Sequence, residues 1–319
     1  MNPTERVQIG RTDVRVTRLG LGLAPIGGLF QPVDEEQARA TVERAWQLGI
    51  RYFDVAPLYG NGLAERRAGS VLAGLPRSEF ALSTKVGRLL RAGGGDEQDI
   101  WAEPAELTPV FDFSAAGVLT SYAESLQRLG LEHADILHLH DPDDHFAQAV
   151  AEALPALVRL REEGRIAAVS AGMNQSKLLA EFVRTGQLDC VLLAGRYSLL
   201  DQSGAVELLP LCADRGVSVI AGGVFNSGLL ADPKPGATFD YVPASSALLD
   251  RALAIRDVCE RHGVPLRAAA VQFPLTHPAV TCVVVGARSP EEVEDAVRMS
   301  SVDIPGTLWR DLRAEGLIS

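Results

Sequence analysis

Residues 136–145 concentrate side chains that could do chemistry. Their sequence, ILHLHDPDDH, holds three of the six histidines of the chain together with three aspartates. In an extended strand His138 and His140 would point to the same side, because side chains alternate with a period of two. Two imidazoles on one face beside carboxylates are compatible with a divalent-metal site. They are equally compatible with one catalytic histidine beside an incidental neighbour.

Three other polar residues occur near the ends of apolar strand patterns. Asp54 and Lys85 each end such a pattern, as His140 does, and Tyr59 follows Asp54 by five residues through a turn with proline and glycine. Only three of the 30 basic residues are lysines. A lysine in a buried strand needs a partner, because burying an unpaired ammonium is very costly. Asp54 would supply it, although each residue taken alone is also compatible with a structural or surface role.

The four residues together would form an acid–base device centred on Tyr59. A tyrosine hydroxyl has a pKa of about 10 in water. A neighbouring ammonium and imidazole are expected to stabilise the phenolate and to lower that pKa. A tyrosine of lowered pKa can give or take a proton at a carbonyl or alcohol oxygen near neutral pH.

Strand and helix patterns alternate along the chain, which predicts a parallel sheet covered by helices. The count of eight strands favours a (β/α)8 TIM barrel preceded by a β-hairpin. A Rossmann fold is rejected, because residues 20–25 lack the third glycine of G-x-G-x-x-G and no helix follows them. The strands are predicted at residues 17–22, 51–55, 80–86, 134–140, 166–171, 190–195, 218–222 and 281–285. Helices are predicted at residues 35–48, 63–73, 116–129, 146–163, 176–184, 205–215, 245–262, 266–275 and 290–300.

The longest interruption runs from Arg88 to Ser114, between the third strand and the third helix. Glycines 93–95, acidic residues, Trp101 and Pro104 predict a loop at the C-terminal mouth of the barrel, where substrates enter. No linker or repeat divides the chain, so residues 1–319 are predicted to form a single domain.

Composition limits the partners of the protein. The net charge of −11 argues against nucleic acid and anionic membranes as partners. No apolar run approaches the roughly 20 residues of a membrane span, and no secretory signal is present. The four cysteines are widely spaced and are expected to be reduced, mostly buried thiols. These features predict a cytoplasmic protein, and they do not indicate an oligomeric state.

Asp54, Tyr59, Lys85 and His140 match the catalytic tetrad of the aldo-keto reductases in type, order and strand position. The chain resembles that family along essentially its whole length, including GIRYFDVA at residues 49–56, SLQRLG at 125–130 and VVGARSP at 284–290. More narrowly it resembles the aldose 1-dehydrogenases, which include L-fucose, D-threo-aldose and L-galactose dehydrogenases and pyridoxal 4-dehydrogenase. That likeness is carried by VFDFS at residues 110–114, HDPD at 140–143, RYSLLD at 196–201 and GGVFNSG at 222–228.

The resemblance implies metal-free hydride transfer between a nicotinamide and a small sugar or aldehyde. In oxidation of a cyclic hemiacetal to a lactone, Tyr59 would accept the hydroxyl proton. Lys85, held by Asp54, would favour the tyrosinate, and His140 would orient the reacting oxygen. A general aldehyde reductase is the alternative within the family. The metal interpretation is disfavoured because the last four strands end in glycines, which offer no further ligand.

The resemblance also assigns binding residues. The substrate would meet Arg88, Trp101 and Asp141, of which Asp141 could instead orient His140. NADP-preferring relatives place lysine and arginine where Gly286 and Glu292 stand here, and a carboxylate repels a 2′-phosphate, so NAD is predicted over NADP. Backbone N–H groups opening the last helix are expected to hold phosphate oxygens. The predicted cofactor residues are Asn174, Gly223, Phe225, Asn226, Gly228, Gly286, Arg288, Ser289 and Glu292.

Overall fold

Eight parallel strands close into a barrel in the computed structural model, which describes residues 1–93, 100–103 and 106–319. Each strand pairs with the next along the chain, and the eighth pairs with the first. In chain order they are β1 (Leu19–Gly22), β2 (Tyr52–Asp54), β3 (Ala81–Val86), β4 (Ile136–His140), β5 (Ala168–Met173), β6 (Cys190–Ala194), β7 (Ser218–Gly222) and β8 (Val280–Gly286). The predicted (β/α)8 barrel is confirmed, and the predicted strands agree to within two residues at each end.

Helices cover the outside of the barrel. The helix predicted at residues 146–163 contains a π-helical turn at Ala149–Ala153, and a final helix at Gly306–Ala314 was not predicted. Among the described residues, none of the helices combines the length and the apolar character needed to cross a membrane. The helices are Glu35–Gln47, Leu63–Leu72, Ala115–Leu129, Phe146–Gln148, Leu154–Glu162, Ser176–Arg184, Leu208–Arg215, Ser246–Arg261, Leu266–Gln272, Pro290–Ser301 and Gly306–Ala314.

The predicted N-terminal hairpin closes the bottom of the barrel. Its strands, Arg6–Gln8 and Arg15–Thr17, pair antiparallel. Buried apolar side chains of the hairpin, including Ile9 and Val16, pack against the deepest residues of the strands. All four cysteines are buried and free, as expected. With the bottom plugged by apolar side chains, polar chemistry is confined to the opposite end of the barrel, where the strands end.

The segment between Arg88 and Ser114 is not a plain loop, so that prediction was wrong at both ends. Arg88–Ala92 and Leu107–Phe111 form an antiparallel hairpin that extends beyond β3. The chain turns into it at Gly87, whose positive φ of 101° and contact with the Phe113 ring leave no room for a Cβ. A two-residue turn between neighbouring strands is the pattern that reveals a short hairpin in a sequence, and residues 93–106 separate these two strands instead. Gly94, Gly95 and Pro104 of the prediction lie outside the described residues.

Candidate active site

Asp54 and Lys85 form a buried ion pair at the ends of β2 and β3. Lys85 Nζ donates to Asp54 Oδ2 at 2.7 Å and to the Val55 carbonyl at 3.0 Å, and the two side chains are only 2% and 4% exposed. Ser83, which pairs with Asp54 across the two strands, donates to Asp54 Oδ1 at 2.6 Å. Burial lowers the pKa of Lys85, but the charges and hydrogen bonds of Asp54 and Tyr59 outweigh it and raise that pKa overall. Lys85 is therefore a permanent cation.

Tyr59 lies over this ion pair on the loop after β2. Lys85 Nζ is 4.6 Å from the centre of the Tyr59 ring. Burial raises the pKa of the Tyr59 hydroxyl to about 12, although the charge of Lys85 and its hydrogen bond lower it. The prediction of a lowered pKa was wrong, because the loss of hydration outweighs the attraction of a single ammonium. Tyr59 is protonated at neutral pH and is a strong base once its proton has left.

His140 meets the tyrosine edge-on. The ring centroids of Tyr59 and His140 are 6.0 Å apart at 88°. Burial, and then the charges of Arg88 and Lys85, hold the pKa of His140 well below its usual range. The imidazole is consequently neutral at neutral pH and does not stabilise a phenolate as a cation would. Its Nδ1 has no hydrogen-bond partner within the described ranges, and Nε2 lies 3.6 Å from Asp141 Oδ2.

Arg88 and Asp141 lie next to His140. Arg88 Nη2 donates to Asp141 Oδ2 at 2.7 Å, and the guanidinium lies 4.6 Å from the centre of the Phe111 ring. Burial raises the pKa of Asp141, although the charge of Arg88 lowers it. Asp141 also has a φ of 43°, a backbone conformation that residues other than glycine rarely adopt. The carboxylate oxygen Oδ2 lies between Arg88 Nη2, at 2.7 Å, and His140 Nε2, at 3.6 Å.

Trp101 covers Tyr59 from the long segment after β3. Its ring centroid is 6.0 Å from that of Tyr59, and its segment is held to the barrel by a bridge with Leu29. The indole Nε1 is buried and, in the part of the chain that the structure describes, has no hydrogen-bond partner. A buried N–H without a partner costs free energy unless a ligand or water satisfies it. The indole N–H thus needs a partner that the described residues do not supply.

A cleft of about 620 Å³ opens at the barrel mouth, and its lining comes from the ends of β5 to β8 and from the loops after β1, β7 and β8, not from Asp54, Tyr59, Lys85 or His140. Its floor is close-packed backbone, because Gly223 has a φ of 63° and a Cβ there would lie 3.0 Å from the Gly195 nitrogen. The cleft has the size of a small-molecule site, and its floor admits a flat ring. All of the predicted cofactor residues except Ser289 line it, namely Asn174, Gly223, Phe225, Asn226, Gly228, Gly286, Arg288 and Glu292.

The far end of the cleft is formed by the start of the helix Pro290–Ser301. Glu292 Oε1 pairs with Arg288 Nε at 2.9 Å, and Glu292 Oε2 accepts from the Arg288 backbone N–H at 2.8 Å. The Ser289 hydroxyl caps the helix by accepting from the Glu292 N–H at 3.3 Å. Pro290 has no N–H. The helix therefore offers fewer donors to a phosphate than predicted, and Ser289 acts as a cap.

The sequence did not point to Phe30, Asp240 and Tyr241, which also line the cleft. The ring centroids of Phe30 and Tyr241 are 5.8 Å apart. Arg196 donates two hydrogen bonds to the Asp240 carboxylate, of 3.0 and 2.7 Å. These three lining residues have positive φ angles in loops. Short patterns of residue type do not encode such a conformation in residues other than glycine.

Known proteins resemble this chain in sequence and in fold. The model of the Aldo/keto reductase family matches residues 18–314. D-threo-aldose 1-dehydrogenase of a Pseudomonas species is 42% identical, covering 95% of this chain and 95% of that protein. Pyridoxal 4-dehydrogenase of Microbacterium luteolum is 41% identical, covering 100% and 99%. The solved structure of aldo-keto reductase AKR11C1 from Bacillus halodurans, in its holo form, superposes with a TM-score of 0.79 at 26% identity, covering 99% and 97%.

Proposed function

The chain belongs to the aldo/keto reductase family and is an NAD(P)-dependent oxidoreductase, and on that premise we propose that it oxidises a cyclic sugar hemiacetal at C1 to the lactone. We propose further that residues 1–319 act as one catalytic domain. The observation that carries the proposal is the contact of Tyr59 with a buried lysine at a barrel mouth that also contains a cleft of about 620 Å³. A nicotinamide dinucleotide supplies a carbon that accepts or donates a hydride.

The proposed chemistry of the protein concerns one proton. Tyr59 takes the proton of the anomeric hydroxyl as hydride leaves C1, and returns it when the reaction runs as a reduction. Lys85 stabilises the tyrosinate by its charge, and Asp54 keeps Lys85 in place through the 2.7 Å contact. His140, being neutral, donates a hydrogen bond to the reacting oxygen without competing for the proton. Trp101 excludes water from above Tyr59.

The polar groups around Tyr59 favour a neutral substrate rich in hydroxyl groups. The indole N–H of Trp101 has no partner among the described residues, and it suits a sugar oxygen. Asp141 accepts a hydrogen bond from a hydroxyl, and its charge is balanced by Arg88 at 2.7 Å. One of the similar proteins is named for an aldose. The second candidate substrate is pyridoxal, because the relative that is 41% identical is named for it. Pyridoxal also forms a cyclic hemiacetal.

An assay of NADH formation tests the substrate class. The purified protein is incubated with NAD⁺ and a panel of 6-deoxy and ordinary aldoses, with pyridoxal alongside. Oxidation of one or more aldoses at a kcat/KM well above that for pyridoxal is expected. The reverse order would move the assignment to the second candidate. NADH formation with no sugar in the panel would overturn the aldose assignment.

Trp101→Phe is expected to weaken substrate binding. The variant keeps an aromatic ring over Tyr59 and removes the N–H, so KM for the sugar should rise about 3- to 10-fold, corresponding to one hydrogen bond of about 0.5–1.5 kcal/mol. Because the contact is made equally in ground and transition states, kcat should stay within about twofold of the wild-type value. Trp46→Phe, on the outer helix beside Arg51 and Phe80, is the matched control. Equal KM values for the two variants would show that the Trp101 N–H does not bind the substrate.

We propose that NAD is preferred to NADP. Glu292 lines the far end of the cleft and already neutralises Arg288, and Arg267, which also lines the cleft, is paired with Asp295 at 2.8 Å. A 2′-phosphate there would face a carboxylate, whereas a ribose 2′-hydroxyl can donate to it.

Glu292→Gln is therefore expected to shift the cofactor preference. The ratio of kcat/KM with NADP⁺ to that with NAD⁺ should rise about tenfold, equivalent to about 1.4 kcal/mol, because the change removes a negative charge and frees Arg288. Glu294→Gln is the control, since Glu294 pairs with Arg44 at 2.7 Å. A ratio that is unchanged in Glu292→Gln, or a wild-type enzyme that prefers NADP⁺, would contradict the proposed role of Glu292.

A further inference from the structure

A buried polar layer lies beneath the tetrad. His138 is fully buried on β4 and faces the barrel interior, where it is the direct cross-strand neighbour of Lys85. Its Nδ1 lies 2.7 Å from the Ser170 hydroxyl on β5. Its Nε2 lies 3.6 Å from Asp54 Oδ1 and has no hydrogen-bond partner in the described ranges. An imidazole in a barrel core is costly unless both nitrogens are used.

The neighbours of His138 define which nitrogen carries its proton. A carboxylate only accepts hydrogen bonds, so a lone pair on Nε2 would face the lone pairs of Asp54 Oδ1 unfavourably. With the proton on Nε2, the ring directs an N–H at Asp54 and its Nδ1 accepts from the Ser170 hydroxyl. Burial lowers the pKa of His138 to about 3, so the ring is neutral at neutral pH. A ring shift of a few tenths of an ångström would complete the bond to Asp54.

We propose that His138 is a positioning residue whose Nε2–H donates to Asp54 and thereby increases the stabilisation of the Tyr59 phenolate by Lys85. The proposal rests on the proposed role of Tyr59 as the base. Asp54 holds Lys85, but its negative charge also opposes a phenolate at Tyr59. A third donor on Asp54, after Lys85 and Ser83, disperses that charge without removing it. The negative charge of Asp54 then offsets less of the attraction between Lys85 and the Tyr59 phenolate.

Titratable groups around His138 come from several strands. Asp54 on β2 and Lys85 on β3 face it directly, and His140 is on its own strand. Cys190 on β6 reaches it through Ser170, and burial raises the pKa of that thiol to about 12. Between pH 6 and 9 Lys85 stays a cation, His138 and His140 stay neutral, and the Cys190 thiol stays protonated. A pH effect of His138 variants in that range would therefore report on Tyr59.

Two amide variants separate the two nitrogens of His138. Glutamine reaches the Nε2 position and can still donate to Asp54, while asparagine reaches only the Nδ1 position and can still meet Ser170. We expect His138→Asn to lower kcat for oxidation about tenfold, as a small misplacement of a catalytic group does, with KM unchanged and the pH–rate profile moved to higher pH. His138→Gln should remain within about threefold of the wild-type kcat, with an unmoved profile. Urea denaturation of both variants monitors folding.

The opposite results overturn the proposal. Equal kcat values and superimposable pH profiles for the two variants would show that His138 only fills space. Rates are measured with the panel substrate that the wild-type enzyme oxidises fastest, so that failure of the whole panel counts against the proposed function. If no panel substrate is oxidised, the proposal about His138 is tested by ¹⁵N NMR of histidine-labelled wild-type protein. A proton on Nε2 of His138 and no titration between pH 5 and 9 are expected, and a proton on Nδ1 would refute the hydrogen bond to Asp54.

Discussion

Tyr59→Phe is expected to lower kcat for oxidation by about 10²- to 10⁴-fold, the usual contribution of a positioned acid or base. Phenylalanine keeps the ring that packs against Trp101 and His140 and removes only the hydroxyl. The affinity for NAD⁺, measured by quenching of protein fluorescence, should not change. Turnover within about tenfold of the wild-type rate would show that another group exchanges the proton.

The pH dependence of the wild-type enzyme provides the internal check on Tyr59. Its hydroxyl has a pKa of about 12 and is protonated at neutral pH. Oxidation needs the deprotonated form, so its rate should rise as the pH is raised from 7 toward 10. Reduction needs the protonated form, so its rate should not depend on this group over the same range. The residual activity of Tyr59→Phe should have lost the rise, and a variant that retains it would place the titration elsewhere.

Lys85→Met is expected to impair both stability and catalysis. The change leaves Asp54 as an uncompensated charge in the barrel, which costs about 3–5 kcal/mol of the free energy of unfolding when a buried pair is broken. It also removes the positive charge that lowers the pKa of Tyr59, so that pKa should rise further. Oxidation should fall about 10²-fold or more. Urea denaturation and steady-state kinetics measure the two effects separately.

The double variant Asp54→Asn with Lys85→Met separates these effects. It has no buried unpaired charge, so most of the lost free energy of unfolding should return. Its activity should remain as low as that of Lys85→Met, because no cation faces Tyr59. If activity returned together with stability, Lys85 would be a structural residue without electrostatic influence on the tyrosine.

The sequence allowed the barrel and the grouping of Asp54, Lys85 and His140 to be predicted for the same reason. The carboxyl ends of parallel strands meet at one end of a barrel, so side chains that end neighbouring strands must lie together. The scarcity of lysine added a second signal. In a chain whose basic residues are almost all arginines, a lysine within an apolar strand indicates a specific role. Both signals depend on local patterns and on topology, and neither depends on loop geometry.

Features set by tertiary environment could not be predicted in this way. The pKa of Tyr59 is raised because the folded chain excludes water from its hydroxyl. No pattern in residues 54–59 indicates that exclusion. The hairpin beyond Gly87 and the approach of Phe30 to Tyr241 depend on contacts between distant segments. Ser289 was assigned to the cofactor because the sequence does not distinguish a hydroxyl that caps a helix from one that binds a phosphate.

The fate of the hydrogen at C1 tests the proposed oxidation most directly. The aldose that the wild-type enzyme oxidises fastest is prepared with deuterium at C1 and incubated with NAD⁺, and both products are examined by mass spectrometry. Deuterium in the NADH, with the lactone as the sugar product, is the expected result. Deuterium that stays in the sugar product or appears in water would contradict hydride transfer from C1.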